Sequence, residues 1–256
     1  MKRATLLILL CLFLANAGAA DKKKEPDKSS PQILLTAPLG VARGETIKLL
    51  LRGTGLSEAS EVRVEVGERT LAAQIKSKSK SPAAEPLQVK KVGDTQVEIE
   101  FELPADAPAG DANIVIVTPE GATQPHALRV FDPTESVTEK EPNGGFRNAQ
   151  EINLPTTVRG MIGDPNDVDV FRFVGKKGQR LSAEVIADRL NSPLDSLLTV
   201  YDQAGHLLAT NDDSAAGSDS LLHLTLAADG IYFVTLVDAN GRGGPFYAYL
   251  LKIGVE

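Results

Sequence analysis

The chain has 256 residues, 42% of them hydrophobic, with no tryptophan and a formal net charge of −7. Such acidity makes nucleic acid and anionic lipid surfaces poor partners. A single cysteine, Cys11, excludes a disulfide framework and any zinc site built on cysteines.

The chain opens MKRATLLILLCLFLANAGAA. Lys2 and Arg3 form a basic start, residues 6–15 are apolar, and Ala17-Gly18-Ala19-Ala20 are small. That is the plan of a cleaved secretory signal, and the apolar run falls short of the roughly 20 residues that span a bilayer. Leu9 and Leu10, not small residues, precede Cys11, so a lipoprotein is not indicated. Cleavage near Ala19 or Ala20 removes the cysteine and takes the net charge from −7 to −9. The expected product is secreted or periplasmic, with no second long apolar run to insert into a membrane. Residues 21–30, DKKKEPDKSS, are charged and free of apolar side chains, which reads as a disordered tether.

Two β-rich units are expected next, because turn residues recur about every ten positions and no helical period persists. The first covers residues 31–132. Glu61-Val62-Arg63-Val64-Glu65-Val66 alternates strictly, valines in and charges out, and Val97-Glu98-Ile99-Glu100-Phe101-Glu102 repeats the scheme. Ile114-Val115-Ile116-Val117 fits a strand buried on both faces, while Gly53-Thr54-Gly55 marks a bend. KSKSKSPAAEP, residues 76–86, reads as a solvated loop. The unit resembles the IPT/TIG class of immunoglobulin-like domains, carried by Pro38 and Gly40, the Gly53/Gly55/Leu56 bend and the Thr118-Pro119-Glu120-Gly121 turn. That resemblance implies an all-β sandwich used as a spacer or binding module.

The second unit is placed at residues 135–256. Strands are expected over 158–162, 170–174, 181–187, 196–201, 206–209, 221–226, 231–237 and 246–253. Asp202-Gln203-Ala204-Gly205 and Ala227-Ala228-Asp229-Gly230 each read as hairpin turns. The last strand sets Tyr247, Tyr249, Leu251 and Ile253 on one face. The order EKEPNGG, GDPNDVDVFRF, SPLDSLLTVYDQAGHLLATNDD and DGIYFVTLVD, then a tyrosine-bearing strand, is similar to the bacterial pre-peptidase C-terminal (PPC) domain. The resemblance implies a non-catalytic, jelly-roll-like β-sandwich of the kind appended to exported peptidases. The expected fold class is therefore all-β, two β-sandwich domains in tandem.

Residues 138–146, TEKEPNGGF, lie between the units. On an extended segment Glu139, Glu141 and Asn143 project from one side, and Pro142 keeps Glu141 out of the helical region. Asp167 and Asp169 share a face further on, in phase with Phe171 and Phe173. Calcium takes six to eight oxygens, and two acidic rows brought together repel unless a cation lies between them. Calcium-binding relatives of the PPC domain imply the same five residues as ligands, although Gly144 stands where a further aspartate is frequent in them. An acidic linker followed by an Asp-rich turn explains the same residues. Asp195, Asp212, Asp213 and Asp219, with Asn211, form a candidate second ion site, where Asx turns and hairpin capping compete.

No constellation for catalysis is legible. His126, His206 and His223 lack metal-ligand spacing, and no Gly-x-Ser-x-Gly elbow occurs. The expectation is a non-enzymatic exported binding or accessory protein with a calcium-stiffened second domain. Its partner would be an extracellular or cell-surface polymer or protein. The alternative is an inhibitor-like or chaperone-like companion of a secreted peptidase.

Overall fold

The computed structural model describes residues 30–81, 89–215 and 217–255. The expected leader, the tether up to residue 29 and residues 82–86 of the lysine–serine stretch lie outside them.

The first domain holds β1 (Gln32–Ala37), β2 (Gly40–Ala42), β3 (Thr46–Thr54), β4 (Glu61–Val66), β5 (Arg69–Lys80), β6 (Thr95–Glu102), β7 (Gly110–Thr118), β8 (Gly121–Ala122) and β9 (His126–Phe131), with one helical turn, α1 (Val89–Val92). The strands follow the order β1-β3-β6-β5-β4-β7-β9-β2, with β8 beside β7. Alternation places Val62, Val64 and Val66 in the core with Leu49, Leu51, Ile99 and Ile114, all fully buried. β5 joins the two layers, since residues 69–73 pair with β4 and residues 74–80 with β6.

That pairing corrects the expectation of a loop at residue 76. Lys76, Ser77, Lys78, Ser79 and Lys80 are exposed but lie within β5, opposite Glu98 and Glu100 of β6. Alternating lysine and serine has the period of a strand. It carries no apolar face because this half of β5 covers no core, so hydrophobic patterning cannot find it.

The second domain holds β10 (Ser136–Thr138), β11 (Gln150–Glu151), β12 (Thr156–Met161), β13 (Asp169–Gly175), β14 (Arg180–Ile186), β15 (Ser196–Asp202), β16 (Leu207–Asn211), β17 (Leu221–Thr225), β18 (Gly230–Asp238) and β19 (Ala248–Val255), plus a 3-10 turn at Asp188–Leu190. They form two five-stranded sheets, β10-β12-β19-β14-β17 and β11-β13-β18-β15-β16. The Asp202–Gly205 turn is a hairpin between β15 and β16. The Ala227–Gly230 turn is not. It carries the chain from β17 in one sheet to β18 in the other, a distinction that turn residues alone do not encode.

Each face of β19 has its own task. Tyr249, Leu251 and Ile253 enter the core with Phe171 and Phe173. Ala248 and Leu250, with Phe246, pack against Leu35, Ala37 and Leu39 of the first domain. The Arg52 guanidinium lies over the Phe246 ring, 5.8 Å from its centroid, and burying that ring contributes about 2 kcal/mol. Arg159 on β12 reaches Glu45 of the first domain at 3.7 Å.

Candidate metal centre

The segment entering the second domain touches both of its sheets. β10 pairs in parallel with β12, and β11 pairs in parallel with β13. Residues 139–149 therefore cross the sandwich edge, and Glu139, Glu141 and Asn143 sit on that crossing.

Hydrogen bonds fix all three. The Glu139 amide donates to the Arg159 carbonyl at 3.0 Å. Its carboxylate accepts from the Met161 amide at 2.8 Å and from Asn143 Nδ2 at 2.9 Å. Glu141 Oε2 accepts from the Asn143 amide at 2.8 Å. Asp169 begins β13 with its side chain inward, in phase with Phe171 and Phe173, and the Tyr249 hydroxyl donates to its Oδ2 at 2.7 Å. One carboxylate oxygen from each of Glu139, Glu141 and Asp169 lies within 4.8 Å of the other two.

The cluster is strained electrostatically. Asn143 and Asp169 are fully buried, and Asn143 Oδ1 and Asp169 Oδ1 have no hydrogen-bond partner. An unpaired buried polar atom costs about 1–3 kcal/mol, and more when charged. Burial, reinforced by Glu139 and the charge of Asp167, pushes the Asp169 carboxyl up to about 9, although Tyr249 opposes this. Burial and the same carboxylates hold the Tyr249 hydroxyl well above its ordinary range.

Asp167, the fifth residue expected here, stands apart in role. Its oxygens accept from the Gly163 amide at 2.8 Å and the Val168 amide at 2.9 Å, closing the turn before β13. It adds charge to the neighbourhood rather than an oxygen to the cluster. Two participants lie beyond the residues expected from sequence. Tyr249 is one, and its phase with Leu251 is the signal; a tyrosine in a core requires a partner for its hydroxyl. Gly160 is the other. A Cβ there would stand 2.3 Å from the Tyr249 ring and 2.8 Å from Glu139 Oε2.

Asp195, Asp212, Asp213 and Asp219 do not converge. Asp219 is 1% exposed, accepts from the amides of Ala187, Asp188 and Arg189, and pairs with Arg189 Nε at 2.9 Å. It caps the 3-10 turn. Asp195 accepts from Asn240 Nδ2 at 2.7 Å, and Asp212 Oδ1 accepts from the Asp213 amide at 2.9 Å. Among the described residues, Glu139, Glu141 and Asp169 are the group of three or more acidic or metal-ligating side chains in reach of one ion.

Fold and centre together define a tandem β-sandwich protein with a cluster of three carboxylates, buried at Asp169 and open at Glu141, where its two domains join. Residues 167–237, inside the second sandwich, match the family described as bacterial pre-peptidase C-terminal domain. A probable subtilase-type serine protease from Deinococcus radiodurans is 33% identical over 126 residues, which are 49% of this chain. The chain spans only 16% of that protease's length. Among solved structures, the pre-peptidase C-terminal domain of a Bacillus anthracis collagenase covers 42% of this chain and 94% of its own, at 14% identity and a TM-score of 0.32. A periplasmic inhibitor of g-type lysozyme from Aeromonas hydrophila covers 48% and 96%, at 16% identity and a TM-score of 0.33.

Proposed function

We propose that the chain is an exported, non-catalytic binding or accessory protein whose second domain is stiffened by calcium. The observation that carries this is the pair of buried oxygens without partners, Asn143 Oδ1 and Asp169 Oδ1, beside two further carboxylates. Glu139, Glu141 and Asp169 would hold the ion, with Asn143 Oδ1. An all-oxygen set suits a hard cation rather than zinc or copper. The ion supplies positive charge that offsets three carboxylates.

The chain's own residues do the rest. Residues 139–149 tie β12 to β13, so ordering them closes the sandwich edge. Glu139 is also bonded to the strand whose Arg159 reaches Glu45, which links the centre to the joint between domains. The first sandwich, immunoglobulin-like in this reading, and the free surfaces of the second would contact an extracellular polymer or protein.

Thermal melts in calcium and in chelator test the reading. Calcium at a hundredfold its Kd stabilises by about 2.7 kcal/mol, and Glu141→Gln with Asp169→Asn should abolish the rise. Identical melts of the unmodified chain in both buffers would sink it. The protease relative supports a second reading, a companion of a secreted peptidase. Co-purification with a peptidase from periplasm or medium is its test.

A further inference from the structure

Beside the acidic centre, a groove of about 440 Å³ runs between the two domains, within the size range of small-ligand sites. Its floor is aliphatic: Ala37, Pro38 and Leu50 from one domain, Met161, Pro245 and Ala248 from the other. No aromatic ring lines it, so it lacks the stacking surface that sugar rings use.

Four charged side chains also line it: Glu139 and Glu141 from the acidic centre, and Lys48 and Arg159. Lys48 is exposed and makes no ion pair or hydrogen bond among the described residues. The Arg159 side chain is 8% exposed, yet its pair with Glu45 is loose at 3.7 Å, and Glu45 is 50% exposed. Arg159 Nη2 donates to Thr138 Oγ1 at 3.0 Å, while its buried Nε has no partner. A guanidinium this buried is stabilised by a carboxylate far more than a surface one is.

We propose that this groove takes the end of an aliphatic peptide, its terminal carboxylate received by Lys48 and Arg159 and its side chains by the floor. The inference rests on the calcium reading, because Glu139 and Glu141 would otherwise repel the carboxylate. The ligand displaces Glu45 from Arg159 and covers the exposed floor residues Met161 and Pro245.

Titration calorimetry on the full chain in calcium, with N-acetyl-leucyl-leucine and its C-terminal amide as probes, tests this. The acid is expected to bind and the amide to bind about tenfold more weakly, the loss of one charge-assisted contact. Lys48→Gln should weaken the acid by a similar factor and leave the melting temperature unchanged. Equal binding of acid and amide overturns the proposal, as does indifference to Lys48→Gln, or saturation by an oligogalacturonate but not by the peptide. A chain that binds calcium without the peptide loses this inference alone. A chain that binds no calcium, titrated without peptide, loses the reading beneath it as well.

Discussion

The Tyr249 hydroxyl donates to Asp169 Oδ2 at 2.7 Å, 80 residues away in sequence and sealed inside the second sandwich. The other oxygen of that carboxyl, Oδ1, has no hydrogen-bond partner. Tyr249→Phe removes the hydroxyl and leaves Asp169 still further from satisfied. The expected cost is about 1–3 kcal/mol in urea denaturation, together with weaker calcium binding. A variant as stable as the parent would show that this bond contributes nothing.

The Asp169 carboxyl gives metal-free protein an unusual pH dependence. Its folded value is raised to about 9, against about 3.9 in the unfolded chain. The folded state therefore keeps a proton that the unfolded state releases. Stability from this group is complete below about pH 4 and declines as pH rises toward 9, by at most about 1.4 kcal/mol per unit. Calcium bound there, as proposed, would expel that proton, so calcium affinity should climb over the same window. Urea titrations in chelator at several pH values check the slope, and a profile rising from pH 5 to 8 would contradict it.

Gly160 admits no side chain, because a Cβ there meets Tyr249 at 2.3 Å and Glu139 Oε2 at 2.8 Å. Gly160→Ala should cost about 1–3 kcal/mol through overpacking and abolish calcium stabilisation. Gly145 is the control, since nothing lies within 4 Å of the place a Cβ would take there. Gly145→Ala should retain both stability and the calcium response, and matching behaviour of the two variants would refute the packing argument.

Asp219 separates structural carboxylates from ion ligands. It caps three backbone amides and pairs with Arg189 while 1% exposed. Asp219→Ala should destabilise by about 1–3 kcal/mol, since the amides of Ala187, Asp188 and Arg189 lose their acceptor while Arg189 keeps Glu184, yet the calcium-induced rise in melting temperature should persist. Loss of that rise would make the residue part of an ion site.

The joint between domains is testable through Phe246, which is buried against the first domain beneath Arg52. Phe246→Ala should cost about 3–5 kcal/mol and split the single melt into two. A single unshifted transition would mean that the domains do not share this contact energetically.

Much of this is legible in the residues. Alternation locates β4 and β6 with their inward faces, and the phase of Tyr247, Tyr249, Leu251 and Ile253 matches the core of the second sandwich. The strand at residues 76–80 escapes such a reading because its period-2 pattern carries no apolar residue. The β17–β18 connection escapes it too, because an Asp-Gly turn serves a hairpin and a crossover between sheets equally well. Asp169's inward phase is on view in its spacing from Phe171, which marks an acid heading into a core.

The order of residues alone dictates local geometry: which segments extend, which side of each strand meets the core, and which acids share a side of the linker. Those properties follow from the two-residue repeat of a strand and from the conformational limits of glycine and proline. Which acids meet is settled only when the sheets assemble. Assembly gathers Glu139, Glu141 and Asp169 near Tyr249, turns Asp167 back onto its own loop, and commits Asp219 to capping the 3-10 turn. Phase along a strand is a local property. The partner across the core depends on pairing between segments tens of residues apart, where packing and burial choose among alternatives that the local pattern leaves equal.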